Sequence, residues 1–164
     1  LLIEACKKML EIFENDQKNI RDNFILVTFG SKNYFDASNI PFDWMHLGTV
    51  RDNISLNLIY NASDVFACPS IDDIGPMMIN EAYMCNIPIV AFDTGVGPDL
   101  IINNDNGFII KNKNISDFSK GLYNCLMKDS MQNNKSKISG EKNICSTEYQ
   151  ADAYLKLFKD LLGT

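Results

Sequence analysis

The sequence predicts an α/β domain built on a doubly wound parallel sheet. Two observations carry that expectation. Short apolar runs alternate with segments of helical periodicity along most of the chain. Those runs are apolar throughout rather than at every second residue, as strands covered by helices on both faces must be. A chain of 164 residues is long enough to bury such a core without disulfide or metal staples.

Each element has its own local reason. From Leu1 to about Asn15, Leu2, Ile3, Cys6, Met9, Leu10 and Phe13 form a helical stripe opposite Lys7, Lys8, Glu11 and Glu14. Residues 24–29 run apolar and β-branched into Gly30 and read as a buried strand. Residues 31–42, with Ser, Asn, Asp and Pro41, read as a loop. A short strand at 44–47 ends on Gly48, a helix covers 53–62, and a strand at 65–68 closes on Pro69-Ser70. Pro76 suits the first position of the next helix, where its missing N–H has no helical partner to lose. That helix carries Met78, Ala82 and Cys85 on one face and stops at Asn86. Residues 88–92 make another apolar strand, leaving through Asp93-Thr94-Gly95. A helical turn at 98–102, a turn at Asn106-Gly107 and a small strand at 108–110 follow. Helical patterns then cover about 115–128, 130–144 and 147–162, the last with Tyr149, Ala153, Tyr154, Leu157, Phe158 and Leu161 in register. The Lys-, Asn- and Ser-rich stretch 128–143 reads as exposed helix or loop.

Composition removes several function classes. Fifteen basic against twenty-one acidic residues give a net charge of −6, and Arg21 and Arg51 are the only arginines. A nucleic-acid surface needs clustered Arg and Lys, so no nucleic-acid partner is expected. No apolar run approaches the ~18–20 residues of a membrane span, and no signal-peptide pattern opens the chain. Cys6, Cys68, Cys85, Cys125 and Cys145 are odd in number and far apart, with no CxxC spacing. They read as reduced core thiols in a cytoplasmic protein. The single His46 has no cysteine at metal-ligand spacing, so no metal site is expected. The chain opens Leu-Leu-Ile-Glu-Ala, without Met and inside a helical pattern. Residues 1–164 are therefore expected to be one domain cut from a longer protein.

In a doubly wound sheet, ligands bind beyond the carboxyl ends of the strands. The loop of interest there is Pro69-Ser70-Ile71-Asp72-Asp73-Ile74-Gly75-Pro76-Met77, which follows a strand and enters a helix. Gly75 and Pro76 permit a close approach to the helix start, where unpaired amides from Met77 to Ile79 and the positive dipole end favour an anion. Glu81 lies about 7–8 Å further along the axis, and its side chain tilts back toward the loop. Asp73 stands at the mouth. Two acids so spaced can flank a phosphate site with sugar hydroxyls on either side, an arrangement for a sugar nucleotide. The same residues also read as solvated or capping loop acids and an ordinary helix-surface glutamate.

A wider pattern bears on this choice. Leu47-Gly48-Thr49-Val50 is followed by Leu58-Ile59-Tyr60-Asn61-Ala62-Ser63-Asp64-Val65-Phe66, then Pro69-Ser70, Asp73…Glu81-Ala82 and Ile87-Pro88-Ile89-Val90. Phe92-Asp93-Thr94-Gly95, Pro98-Asp99 and Asn106-Gly107-Phe108 complete it. In order, spacing and strand–loop–helix context, residues 47–126 resemble the C-terminal donor-binding domain of the GT-B retaining glycosyltransferases of family 4.

The resemblance implies the Rossmann-like half of a GT-B fold with C-terminal helices. It implies transfer of a hexose from a nucleoside diphosphate sugar to a glycan acceptor with retention of configuration, as in surface polysaccharide or lipopolysaccharide synthesis. By position, the catalytic acids are Asp73, which replaces the motif's first Glu near the donor sugar, and Glu81, the second Glu, on the ribose hydroxyls. Ile74, Gly75, Pro76 and Met77 match the loop facing the donor sugar and diphosphate. Val50 to Asp52, Arg51 included, lie where the family contacts the nucleobase, and Gly95 follows the strand that borders the donor.

Three departures stand out. Asp73 is one methylene shorter than Glu, with Asp72 beside it. Asn86 replaces the family's Gly before Pro-Ile-Val and suits a left-handed cap. Val96 replaces the second Gly and is expected to narrow the room near the donor sugar. The family's basic pair for the diphosphate lies on and just after a strand preceding the first helix, inside which this chain starts. The resemblance further implies no metal or other cofactor, an N-terminal acceptor domain in the same polypeptide, and peripheral membrane association of the full-length protein at the inner face. The isolated chain is then a half-site with little turnover. The alternative is a non-catalytic scaffold or partner module of the same fold. A sugar-nucleotide epimerase would need a His and Glu constellation, and a flavodoxin-like signalling domain an acidic pocket after the first strand. His46 alone and Phe29-Gly30-Ser31 do not supply these.

Overall fold

The computed structural model describes residues 1–17, 23–31, 40, 42–127 and 145–163. Helix α1 (Leu2–Asn15) leads to β1 (Ile25–Thr28) and β2 (Asp43–His46). Helix α2 (Asn53–Asn61), β3 (Phe66–Cys68) and α3 (Met77–Met84) come next. They are followed by β4 (Ile89–Phe92), α4 (Gly97–Leu100), β5 (Gly107–Ile110) and α5 (Ile115–Met127). A last helix, α6, spans Thr147–Leu162. The strands and helices expected from the sequence over these residues all form. The helix expected at 130–144 lies outside the described residues, as does most of the 31–42 loop.

The two-sided covering is clearest at β4. All four of its residues are buried, and they divide by parity, as successive strand side chains must. Val90 and Phe92 join a core with Cys6, Met9 and Phe13 of α1 and Phe118, Leu122 and Cys125 of α5. Ile89 and Ala91 join a second core with Tyr60 of α2 and Ile79, Ala82 and Tyr83 of α3. Helices α1 and α5 thus cover one face, and α2 and α3 the other. At Gly107 a Cβ would collide with the Ile89 carbonyl oxygen, so only glycine lets β5 begin this close to β4. Asn106 is buried beside it and ties α4 to β5. Its amide donates to Leu100 O at 2.8 Å, and its Oδ1 accepts from Ile102 N–H at 2.7 Å.

In one respect the architecture departs from the sequence reading. The strands do not form one continuous ladder. The parallel pair β1-β2 makes one sheet and the parallel set β3-β4-β5 another. Between β1 and β3 lies a slot of about 510 Å³. Ladder partners must sit within ~4.8 Å of each other, and the slot keeps these two strands apart.

Helix α3 ends as Asn86 leads one to expect. Asn86 is left-handed (φ 57°), its N–H donates to Tyr83 O at 3.0 Å, and the Ile87 N–H reaches Ala82 O at 3.3 Å. These are the two bonds of a Schellman cap. The five cysteines are free thiols; Cys6, Cys68 and Cys125 are buried, while Cys85 and Cys145 are half-buried. Burial pushes the Cys6 thiol up to about 12. His46 packs structurally: its Nδ1 lies 3.0 Å from Thr28 Oγ1, which also accepts from Trp44 Nε1 at 3.3 Å. Helix α6 is capped by Ser146, whose side chain accepts from Tyr149 N–H, and none of its residues is buried. Among the described residues no helix is long and apolar enough to cross a membrane.

Candidate functional site

The loop after β3 and the loop after β4 meet at the carboxyl edge of the three-stranded sheet. Asp73 folds its own loop: its Oδ1 accepts the Gly75 N–H at 3.1 Å. The Thr94 hydroxyl, on the neighbouring loop, donates to the Asp73 carbonyl at 3.4 Å. Gly95 sits directly against this segment. A Cβ there would lie 2.6 Å from Asp73 O and 2.8 Å from Pro76 Cδ, and its φ is +56°. Glycine is thus required at Gly95 twice over, by space and by backbone conformation. Gly75 differs: a Cβ there would meet nothing within 4 Å. The fold does not demand glycine at 75, and the open space in front of it is available to a ligand.

Helix α3 begins at this loop. Pro76 stands at the N-cap with an extended backbone (φ −64°, ψ 103°), so it precedes the first helical position that the sequence reading gives it. Its carbonyl accepts the Ile79 N–H at 2.9 Å. That bond removes Ile79 from the amides expected to face an anion and leaves Met77 and Met78, whose N–H groups have no intrahelical acceptor. The apolar side chains around this opening are unusually bare: Ile74 is 99% exposed and Met77 66%.

Glu81 is half-buried one turn further along α3, and it is held. The Tyr60 hydroxyl, on α2, donates to Glu81 Oε2 at 2.8 Å. Burial first, and then the Glu81 carboxylate, raise the Tyr60 hydroxyl well above its usual range. It therefore remains a proton donor at neutral pH. The bond occupies one carboxylate oxygen, and among the described residues no other hydrogen bond reaches the carboxylate. Tyr60 is the site residue that sequence reasoning did not single out. Its signal was present but weak, because a buried tyrosine ordinarily finds a partner for its hydroxyl.

The remaining candidates are placed less tightly. Val50 and Arg51 lie between β2 and α2. Among the described residues, no hydrogen bond or ion pair joins them to the Asp73–Met77 loop. Asp52 caps α2, accepting the Ser55 N–H at 2.8 Å, and that bond holds its carboxyl below the ordinary range. Val96 is half-buried, and its side chain packs on the second core. Among the described residues no group of three or more His, Cys, Asp or Glu side chains could hold a metal ion.

The sequence profile of the family described as glycosyl transferases group 1 matches residues 2–142. A Haemophilus influenzae protein described as an uncharacterized glycosyltransferase is 27% identical over 111 residues, covering 65% of this chain and 30% of that protein. Among solved structures, a variant of S. aureus TarM in complex with fondaparinux, α-GlcNAc-glycerol and UDP aligns with a TM-score of 0.70. The identity is 22%, over 96% of this chain and 32% of that one. Anabaena HepE in complex with UDP-glucose aligns with a TM-score of 0.58 at 13% identity, over 98% of this chain and 55% of that one. Both likenesses are of fold. The chain spans about a third of the length of the H. influenzae protein and of TarM.

Proposed function

The chain belongs to the glycosyl transferases group 1 family, and from that premise we propose that it is the donor-binding domain of a retaining hexosyltransferase. The enzyme moves a hexose from a nucleoside diphosphate sugar to a glycan acceptor in surface polysaccharide or lipopolysaccharide synthesis. It works in the cytoplasm at the inner membrane face. The observation that carries this reading is the pairing of a tethered acid with an open loop. Glu81, fixed by Tyr60, stands behind a glycine-flanked opening that Gly95 backs and at which α3 begins.

In this reading Glu81 accepts the ribose hydroxyls through its remaining oxygen. The Met77 and Met78 amides meet the diphosphate at the positive end of α3. Asp73, Ile74, Gly75, Pro76 and Gly95 border the donor sugar, and Val50 and Arg51 border the base. Catalysis is chiefly stabilisation of the departing diphosphate by preorganised donors, with no metal required. The net charge of −6 opposes an anionic ligand, so the balancing cations come from the rest of the polypeptide. The acceptor domain supplies the acceptor site and excludes water. The 164-residue chain alone then binds donor weakly and transfers little.

The test is calorimetric titration with UDP, GDP and ADP and their hexose conjugates, with and without a metal chelator. UDP comes first, because TarM and HepE were solved with UDP and UDP-glucose. The expected result is weak, chelator-insensitive binding of one nucleotide that Glu81→Ala weakens further. Absence of heat with every nucleotide would favour the non-catalytic scaffold instead.

A further inference from the structure

We propose that helix α6 is a self-association surface, and that its occupant is α6 of a second copy of this chain, packed antiparallel. The proposal goes beyond donor binding and does not depend on it.

Helix α6 lacks the packing that a helix of its length needs. It has sixteen residues, a Ser146 cap at one end and a left-handed Gly163 at the other. Caps alone leave an isolated helix of this length marginal in water, because helices in proteins draw most of their stability from packing an apolar face. Such a face exists here. Thr147, Ala151, Tyr154, Leu155, Phe158 and Leu162 recur at the spacing of a single stripe. The Tyr154 and Phe158 rings stack along it, with centroids 6.3 Å apart. Yet among the described residues none of α6 is buried, and Tyr154, Leu155, Phe158, Leu161 and Leu162 are each more than half exposed. They leave on the order of 700 Å² of apolar surface on one helix, above the ~300–600 Å² patch of a typical monomer and near the ~800 Å² that each side of a stable pair contributes.

The stripe is complementary to itself, and in one direction only. Its first half is small (Thr147, Ala151) and its second half bulky (Phe158, Leu162). A two-fold axis between Tyr154 and Leu155 sets Ala151 opposite the partner's Phe158 and Thr147 opposite the partner's Leu162. Large then meets small along the whole contact, and the two helices stay evenly spaced. Parallel pairing would stack Phe158 on the partner's Phe158 and Ala151 on the partner's Ala151, leaving a bulge and a gap.

The charges make the same choice. Glu148 in the first turn and Lys159 in the last lie within about 20° of each other around the helix axis. Both therefore flank the stripe on the same side. In the antiparallel pair, Lys159 of the partner subunit comes within about 3 Å of Glu148 along the axis. The two-fold repeats that ion pair at the other end. A parallel pair would set Glu148 against the partner's Glu148 and align the helix dipoles, both unfavourable. A bilayer is a poorer match. The charged side chains of α6 are Glu148, Asp152, Lys156, Lys159 and Asp160, whereas a helix that lies on a membrane carries a polar face rich in Lys and Arg.

The test measures the mass of the 164-residue chain by sedimentation equilibrium over a concentration series. A monomer–dimer equilibrium in the micromolar range is expected. Phe158→Asp is expected to weaken it at least ten-fold, with circular dichroism checking that the helix survives. Glu148→Lys and Lys159→Glu change exposed positions, and each is expected to weaken the dimer roughly ten-fold, since like charges then meet at both ends. Mixing these two variants restores both ion pairs, and the mixture is expected to regain the parent's affinity. Weakening by each swap with rescue on mixing marks an antiparallel pair, and it does not require Phe158→Asp to fold. A monomer at every concentration would overturn the proposal, as would a dimer untouched by Phe158→Asp or a mixture no tighter than its components. Monomer that binds phosphatidylcholine vesicles through α6 would assign the face to a lipid surface. A longer form of the polypeptide that stays monomeric while the α6 amides resist hydrogen exchange would assign it to another segment of the same chain. Either result overturns the second copy as occupant. Nucleotide titration of the same samples reads the donor site separately.

Discussion

The Tyr60 hydroxyl and the Glu81 carboxylate are joined by a 2.8 Å hydrogen bond that ties α2 to α3 behind the open loop. Tyr60 is 2% exposed, so its ring is fixed by packing and its hydroxyl fixes the carboxylate. In the proposed function Glu81 touches the ligand and Tyr60 acts through it. Tyr60→Phe should therefore weaken donor binding roughly three- to ten-fold while lowering stability by about 1 kcal/mol.

Replacing Glu81 itself removes a charged acceptor. Glu81→Ala should weaken binding roughly ten- to a hundred-fold. The ribose assignment adds a sharper expectation. With a 2′,3′-dideoxy nucleotide the mutation should have little effect, because the hydroxyls it serves are gone. An undiminished penalty with the dideoxy ligand would show that Glu81 contacts something other than the ribose.

Gly95 and Gly75 face the same opening and should respond to alanine in opposite ways. Gly95→Ala places a Cβ into Asp73 O and Pro76 Cδ at a positive φ. The backbone alone costs about 1–2 kcal/mol, and the collision displaces the loop, so both melting temperature and ligand binding should fall. Gly75→Ala meets nothing in the protein and should leave the melting temperature within a degree or two while reducing binding. If Gly75→Ala binds nucleotide sugar normally, the ligand does not approach the loop at that point.

The contrast shows what the sequence makes legible. Strand β4 was readable because Ile87 to Phe92 is apolar without a break, and two-sided burial has few other sources. The Asp73–Glu81 loop was readable because a glycine, a proline and two acids lie at fixed offsets after a strand. Tyr60 was hidden, since a tyrosine in a helical stripe counts as one more apolar residue until its hydroxyl has a partner. Pro76 was misplaced by one position, because its fixed φ suits both the N-cap and the first helical residue, and only ψ separates them. The break between β1 and β3 was not readable at all. Apolar runs announce strands but do not say which strands are neighbours.

Asn86 gives a stability test away from the site. Its φ of 57° is tolerated by asparagine and natural for glycine, and it strains alanine by about 1–2 kcal/mol. Asn86→Ala should therefore melt several degrees below the parent, and Asn86→Gly should melt at least as high as Asn86→Ala. The reverse order in a thermal scan would mean that the Schellman cap does not govern the end of α3.

Cys6 links the core beneath α1 to pH. Burial raises its thiol from an ordinary 9.0 to about 12. Above pH 9 the unfolded chain releases this proton while the folded chain keeps it, so the unfolded state binds fewer protons and stability falls as pH rises. Below pH 9 both states hold the proton and the group contributes no slope. Between pH 9 and 12 its contribution reaches up to about 1.4 kcal/mol per pH unit. Lysines and tyrosines titrate in the same range, so the informative quantity is the difference between the parent and Cys6→Ala. Denaturant unfolding at pH 8, 9, 10 and 11 should show the parent losing stability faster above pH 9, with the two curves converging as pH rises. Curves that stay parallel from pH 8 to 11 would mean that water reaches the thiol and that the α1 layer opens without global unfolding.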